Sequence, residues 1–456
     1  MQKFDLIVIG SGSGLDVANG AAASGWSVCL VENGPLGGTC LNRGCIPSKI
    51  LVHSADVAMA IRRASEFGLR VADMEVDFAS IVSRASDSVD EDSAGIEHAL
   101  SHHVDNPRLI KGEARFIGKK RLRVGDEEVQ GDRILIASGT RPQVPDIPGL
   151  AEAGFATSDE ALRRQEQPTG LVILGGGYIA AELGHFFGAL GTQVTVIHRH
   201  PILLRREDEE IAAKFTEVFG RHHVVLTNAL PVGVRRDSGL VAVTVEDRDT
   251  GARSLVSGDT LLVATGRVPN TDILNLESTG VRVNDRGFVQ VDDFLETDVK
   301  GIFALGDVVG RYLYKHNANH EAQYAYWNMV LGHRVPVDYS AMPHAVFSYP
   351  QVAGVGLTEQ ECAEKGFDYA VGRYNYADTA MGQAMREEDG LVKIIAHRSN
   401  GKILGCHIVG PEASILIQEA VVAMRCGEGT VDNITNAIHV HPALPEVLAR
   451  AASNLQ

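Results

Sequence analysis

Two cysteines stand five residues apart in Gly37-Gly38-Thr39-Cys40-Leu41-Asn42-Arg43-Gly44-Cys45-Ile46-Pro47-Ser48-Lys49. Such a pair can bind a metal, close a structural disulfide, or cycle between dithiol and disulfide. A metal site would draw further thiolate or imidazole ligands from close by, and the nearest histidine is His53. Six cysteines in 456 residues do not make a disulfide scaffold. A redox-active dithiol remains. On an ideal helix, residues five apart lie roughly 8.6 Å from Cα to Cα. That exceeds the ~7 Å limit for a bridge, so the backbone between the two thiols must be distorted. Gly44 and Pro47 are residues that permit such a distortion.

A second pattern near the C-terminus could serve that dithiol. In His439-Val440-His441-Pro442-Ala443-Leu444-Pro445-Glu446 a histidine precedes a carboxylate by five residues. An acid so placed can fix the tautomer of His441 and steady its imidazolium, while the imidazole moves a proton to or from a thiol. His439 reads as structural. Cys29, Cys362, Cys406 and Cys426 read as buried apolar residues, and no cysteine follows Cys426 to make a second thiol pair.

Two repeated units must position this chemistry. Phe4-Asp5-Leu6-Ile7-Val8-Ile9 is a short apolar run that breaks into Gly10-Ser11-Gly12-Ser13-Gly14, then an Ala-rich helical stretch, then Val28-Cys29-Leu30-Val31. Glycines there let the backbone approach a pyrophosphate, and a helix N-terminus offers N–H donors and a favourable dipole. Glu32 ends the next strand, where a carboxylate can accept hydrogen bonds from a ribose diol. A third fingerprint glycine would fall at Leu15, so the match is imperfect. The unit is expected to bind a dinucleotide.

The second unit runs from Leu171-Val172-Ile173-Leu174 through Gly175-Gly176-Gly177-Tyr178-Ile179-Ala180 to Val194-Thr195-Val196-Ile197. Its last strand ends in His198 and Arg199 instead of an acid. Arg199 and Arg205, with His200 or Arg206 nearby, could hold a 2′-phosphate, which predicts NADPH over NADH. A solvated basic loop is the alternative, because Glu207, Asp208 and Glu209 follow at once.

The rest of the chain supports a multidomain protein. Residues 51–67 read as an amphipathic helix and Arg121-Leu122-Arg123-Val124 as a strand. Pro142, Pro145 and Pro148 read as a linker. From about Ala341 onward, strand patterns such as Val392-Lys393-Ile394-Ile395 alternate with a helical stretch over 414–425, predicting a separate α+β domain. Lys plus Arg total 42 against 58 Asp plus Glu, a net charge of −16, which argues against nucleic-acid or membrane-surface binding. No apolar run approaches the ~18 residues of a membrane span. The expectation is an acidic protein of the cytoplasm.

Residues 37–49 resemble the redox-disulfide signature of the FAD-dependent pyridine nucleotide–disulfide oxidoreductases. Dihydrolipoamide dehydrogenase, glutathione reductase, mercuric reductase and mycothione reductase are members. The resemblance extends to Ala264-Thr265-Gly266-Arg267-Val268-Pro269-Asn270 and to Gly301-Ile302-Phe303-Ala304-Leu305-Gly306-Asp307. It implies an α/β fold with two Rossmann-like dinucleotide-binding domains, for FAD and NAD(P), and a C-terminal α+β dimerisation domain. The implied boundaries are 1–145 and 271–338 for FAD, 146–270 for NAD(P) and 339–456 for dimerisation.

Gly10, Gly12, Gly14, Glu32, Thr39, Lys49 and Asp307 would then serve FAD, and Gly175, Gly177, Gly266, Arg199 and Arg205 the nicotinamide nucleotide. Lys49 would sit near the flavin paired with Glu182. Cys45 would be the flavin-facing, charge-transfer thiolate, and Cys40 the exposed interchange thiol. His441 with Glu446 would act in the partner subunit of a homodimer. Tyr312-Leu313-Tyr314-Lys315-His316-Asn317-Ala318-Asn319-His320-Glu321-Ala322, together with residues 441–446, looks most like mycothione reductase among those members. That implies a small-molecule disulfide as substrate. The alternative is a dihydrolipoamide dehydrogenase that uses NAD and a lipoyl-bearing partner protein.

Overall fold

The computed structural model describes residues 1–72, 74–102 and 106–456. The opening apolar run forms the strand Gln2–Ile9, with Leu6, Ile7 and Val8 fully buried. A strand buried on both faces reads as a continuous apolar run, and this one lies in the middle of a parallel array. Val28–Glu32 pairs with it on one side and Glu127–Ile136 on the other, so that Ile9 lies opposite both Val31 and Ile136. Arg108–Lys111 extends one side, and the antiparallel Arg121–Val124 and Ala114–Gly118 extend the other. Ile302–Ala304 returns from far along the chain to pair in parallel with Glu127–Ile136. The strand containing the Gly301-to-Asp307 motif thereby enters the first sheet.

The second unit repeats the plan. Gly170–Leu174 lies between Gln193–Ile197 and Thr260–Val263, all parallel, with Val224–Leu226 at the edge. A three-stranded antiparallel sheet, Ala229–Asp237, Leu240–Asp247 and Arg253–Gly258, is inserted before Thr260–Val263. Thr140–Pro142 and Arg267–Pro269 form a two-stranded ribbon. Pro142 was expected in a linker; its ring costs nothing here because the strand has a single partner.

The C-terminal portion is α+β, as its pattern implies. Five antiparallel strands run in the order Pro343–Val346, Val352–Gly356, Ile403–Val409, Leu391–His397 and Tyr369–Asn375. Ala413–Arg425 and Pro445–Ser453 bury Leu416, Ile417, Ala420, Val447 and Leu448 against them. Two other expectations need correction. The helix expected over 51–67 starts earlier, spanning Cys45–Arg63, and tightens to a 3₁₀ turn over Ala64–Phe67. Cys29, Cys362 and Cys406 are buried, but Cys426 is exposed, because it caps the solvent-facing end of Ala413–Arg425. Among the described residues no helix is long and apolar enough to cross a membrane.

Candidate active site

Each Gly-rich turn joins its first strand to a helix by the same backbone device. Gly10 adopts φ +103°, and a Cβ there would lie 2.3 Å from the Ala137 carbonyl oxygen of the neighbouring strand's extension. Gly175 adopts φ +119°, with the Ala264 carbonyl oxygen at 2.2 Å. Only glycine fits either place. Gly177 faces open space, and Gly12 meets nothing nearer than the Gly38 Cα at 4.0 Å, so both leave room for a ligand. Gly14 has another task. It begins the helix Gly14–Ala23 and packs between Val8 and Ala137, so it supports the turn without lining it.

A cavity of about 480 Å³ runs along the first turn. Glu32, Gly10, Gly12, Thr39, Cys40, Cys45 and Asp307 all line it. Ser11 fixes Glu32, donating to Oε2 from its backbone N–H at 2.9 Å and from its hydroxyl at 2.7 Å. The Gly34 N–H donates to the other oxygen at 2.9 Å. A fixed carboxylate, glycines that leave room for backbone approach and a thiol pair around one large cavity fit a dinucleotide such as FAD. Asp307 accepts from the Thr140 hydroxyl at 3.0 Å. Burial pushes its carboxyl up, against the pull of Arg267 and Thr140.

The dithiol lies across a break in helical structure. Gly38–Arg43 forms one short helix and Cys45–Arg63 the next, with Gly44 at φ −144° and ψ −119° between them. A Cβ on Gly44 would press to 2.8 Å from the Thr39 carbonyl oxygen, so the fold back onto Cys40 requires glycine. This is the distortion that the five-residue spacing demands. Both thiols are free in the structure, and their mutual interaction separates their acidities. Interaction with Cys45, together with burial, pushes the Cys40 thiol far up. Interaction with Cys40, with the Lys49 charge nearby, brings Cys45 down to about 7 against the opposing effect of partial desolvation. The exposure is the reverse of the expected order: Cys45 is exposed and Cys40 half-buried. Both line the cavity, and Cys45 stands at the open break where the second helix begins.

Lys49 stands one turn beyond Cys45 and reaches Glu182 Oε2 at 2.6 Å. Glu182 comes from the second unit's helix, Tyr178–Ala189, and its other oxygen accepts the Phe347 N–H at 3.0 Å. The Lys49 ammonium also lies 4.5 Å over the Phe347 ring. The pairing implied by the resemblance is therefore present in the chain.

His441 and Glu446 also pair, with Nδ1 at 3.0 and 3.1 Å from the two carboxylate oxygens. The hydrogen bond from His441 holds the Glu446 carboxyl below its usual range. The His441 side chain is 70% exposed, and neither residue lines the cavity of its own chain. His439 instead reaches Glu419 at 2.7 Å, consistent with a structural role.

Arg199 and Arg205 converge on His200, whose Nε2 lies 3.3 Å from one and 2.9 Å from the other. Both guanidiniums are exposed. Two of the three acids that follow them turn inward, Glu207 meeting His344 and Tyr178 and Asp208 meeting Lys393, while Glu209 stays exposed. Gly266 lies at φ +135°, and its carbonyl accepts from the Gln143 N–H at 2.8 Å, so it shapes the ribbon between the two units.

Several cavity residues were marked in the sequence only as members of stretches singled out for other reasons. Lys315 donates to the Ser13 hydroxyl at 2.9 Å, and Ser13 in turn donates to Asn319. Arg267 grips the Thr140 hydroxyl at 2.7 Å and its carbonyl at 2.8 Å. Arg267 sits inside a quoted motif, and that was the only available pointer.

Comparison with known proteins agrees with this geometry. Residues 4–324 match the family described as pyridine nucleotide-disulphide oxidoreductase, and 342–452 match its dimerisation domain. The chain is similar to mycothione reductase of Mycobacterium tuberculosis, 39% identical over 469 aligned positions that cover 100% of both proteins. It is 36% identical to dihydrolipoyl dehydrogenase of Halobacterium salinarum, covering 99% of this chain and 96% of that one. A solved structure, the Cu(II) complex of the HOCl-induced flavoprotein disulfide reductase RclA from Escherichia coli, superposes with a TM-score of 0.88. That match has 29% identity and covers 99% of each chain. From the turn at Gly10 to the dimerisation sheet, the chain belongs to the pyridine nucleotide-disulphide oxidoreductases, enzymes that use FAD and NAD(P)H.

Proposed function

We propose that this enzyme carries electrons from NADPH, through FAD and the Cys40–Cys45 pair, to a low-molecular-weight thiol disulfide of the mycothione type in the cytoplasm. The observation that carries this reading is the thiol pair folded together at Gly44, with both cysteines lining the large cavity. FAD, when bound, accepts a hydride from the nicotinamide and passes the electron pair to the disulfide. Glu32, Gly12, Thr39 and Asp307 would hold it. The domain division is 1–145 and 271–338 for FAD, 146–270 for NAD(P), and 339–456 for dimerisation.

Thiolate is the nucleophile in disulfide exchange. Cys40 gives its proton to His441 of the partner subunit and attacks one sulfur of the substrate. An S–S bond forms to Cys40, the substrate S–S bond breaks, and the departing thiolate takes the proton back from the imidazolium. The Cys45 thiolate then attacks Cys40, which releases the second substrate sulfur as a thiolate that takes its proton from solvent, and restores the Cys40–Cys45 disulfide. Glu446 steadies the imidazolium between these steps. Exposed Ile415, Val422, Ile438 and Val440 supply an apolar face beside His441 that a homodimer would bury.

NADPH is favoured because Glu207 and Asp208 turn away from Arg199 and Arg205, leaving two exposed guanidiniums around His200 for a 2′-phosphate. The second reading, NAD-dependent oxidation of a lipoyl-bearing protein, is supported by the 36% identity to a dihydrolipoyl dehydrogenase. Cys40→Ser tests the electron route. Turnover with disulfide should fall by more than about 1000-fold while NADPH still bleaches the flavin. Full turnover by that variant would refute the scheme.

A further inference from the structure

Glu207 is 1% exposed, and the electron route gives it no task. Both of its oxygens are engaged. Oε1 accepts from the Tyr178 hydroxyl, and Oε2 lies 2.6 Å from His344 Nε2. Tyr178 opens the second unit's helix directly after Gly177, one turn before the Glu182 that holds Lys49. His344 comes from Pro343–Val346, the first strand of the C-terminal sheet. One buried carboxylate therefore ties the nucleotide turn to the dimerisation domain.

The loop that carries Arg199 and Arg205 ends at this carboxylate and is fastened to the same turn. The Leu204 N–H donates to the Gly176 carbonyl at 2.8 Å, and the Glu207 N–H donates to the Leu204 carbonyl at 2.8 Å. Tyr178 also meets the Tyr314 hydroxyl at 3.2 Å, and the neighbours of Tyr314, Leu313 and Lys315, line the flavin cavity. A shift of Tyr178 would thus be felt at both nucleotide sites.

Charge makes the arrangement specific. A lone carboxylate buried beside a helix N-terminus would be costly and would repel a diphosphate arriving there. His344 is placed to compensate it. His407 adds only a weaker pull on Glu207, and the other charged groups nearby are engaged elsewhere. Asp208 is bound to Lys393 at 2.8 Å, and His407 donates from Nε2 to the Leu357 carbonyl at 2.9 Å. Burial pushes the Glu207 carboxyl up, but the His344 charge and the two hydrogen bonds hold it below the usual range.

We propose that Glu207 and His344 are a charge-compensated positioning pair for the nicotinamide nucleotide. They fix Tyr178 and the 199–206 loop against the Gly175–Gly177 turn, so nucleotide affinity depends on the pair more than the dithiol chemistry does. The inference rests on the reading that NADPH binds at that turn.

The test is anaerobic stopped-flow bleaching of the FAD-loaded, full-length protein over a range of NADPH concentrations. His344→Gln should raise the half-saturating concentration by about tenfold or more, leaving the buried carboxylate uncompensated, with under about threefold change in the limiting rate. Adding Glu207→Gln to it should restore half-saturation to within about threefold of wild type, because two amides can pair without net charge. Flavin content and melting temperature of each variant show whether it is folded. If the single variant sheds FAD, recovery of flavin content and half-saturation in the double variant reads the same claim. A smaller rise, or a double variant no better than the single one, overturns the pair. A wild-type protein bleached by neither NADPH nor NADH would instead overturn the nucleotide-site reading itself.

Discussion

The two Gly-rich units use one backbone device for different ends. In each, the first glycine turns with φ above +100° and lies where a Cβ would strike the carbonyl of the adjoining strand, Ala137 in one and Ala264 in the other. The units diverge where their second strands end. Glu32 is fixed by Ser11 as an acceptor for hydroxyl groups, whereas His198 and Arg199 open a basic loop held by Leu204 against Gly176. Their surroundings differ too. The first unit opens into a cavity of about 480 Å³ that the dithiol also lines, while the second is tied through Glu182 to Lys49 and through Glu207 to the dimerisation domain. On the proposed reading, the glycine fold makes a dinucleotide site and the residue at the end of the second strand selects the ligand.

Alanine at the two equivalent glycines should break the units separately, with the largest effects. Strain of about 3 kcal/mol at each site corresponds to at least about 100-fold in binding. Gly10→Ala should emerge without FAD, and Gly175→Ala should retain FAD but resist bleaching by NADPH. The flavin-to-protein absorbance ratio and a stopped-flow trace check both, and loss of FAD from Gly175→Ala would show that the units are not independent.

Arg199→Ala and Arg205→Ala should each raise the KM for NADPH by about tenfold, the value of one charge-assisted contact, and leave that for NADH unchanged. Steady-state assays with both nucleotides check this. Equal effects on NADH would return the loop to a solvated surface.

The smallest effect is confined to the first unit. Because the Cys45 pKa is lowered to about 7, its thiolate is present above that pH and is lost as pH falls through it. Lys49 favours the thiolate, so Lys49→Met should move this titration upward by about one unit. The pH profile of alkylation of the reduced protein measures it. An unmoved or downward-shifted titration would mean that the Lys49 charge does not stabilise the Cys45 thiolate.

The sequence carried the strands, both turns and the dithiol because each has a local signature. Continuous apolar runs such as residues 6–9 read directly as buried parallel strands, and the five-residue cysteine spacing required the break found at Gly44. Glu182 and Lys49, 133 residues apart, came only through the resemblance, although their contact is 2.6 Å. Arg267 with Thr140, Lys315 with Ser13, and His344 with Glu207 had no such help. A polar contact between distant segments leaves no period or spacing in either one. Exposure failed for a similar reason: Cys426 resembles the three buried cysteines in composition, and only its place at a helix end exposes it.

The most direct test of the electron route is anaerobic reduction by NADPH and NADH in parallel, followed by mixing with mycothione disulfide or lipoamide. The account predicts that NADPH bleaches the flavin at the lower concentration and that mycothione disulfide discharges the long-wavelength thiolate–flavin band. Preference for NADH, with discharge by lipoamide and not by mycothione disulfide, would contradict it.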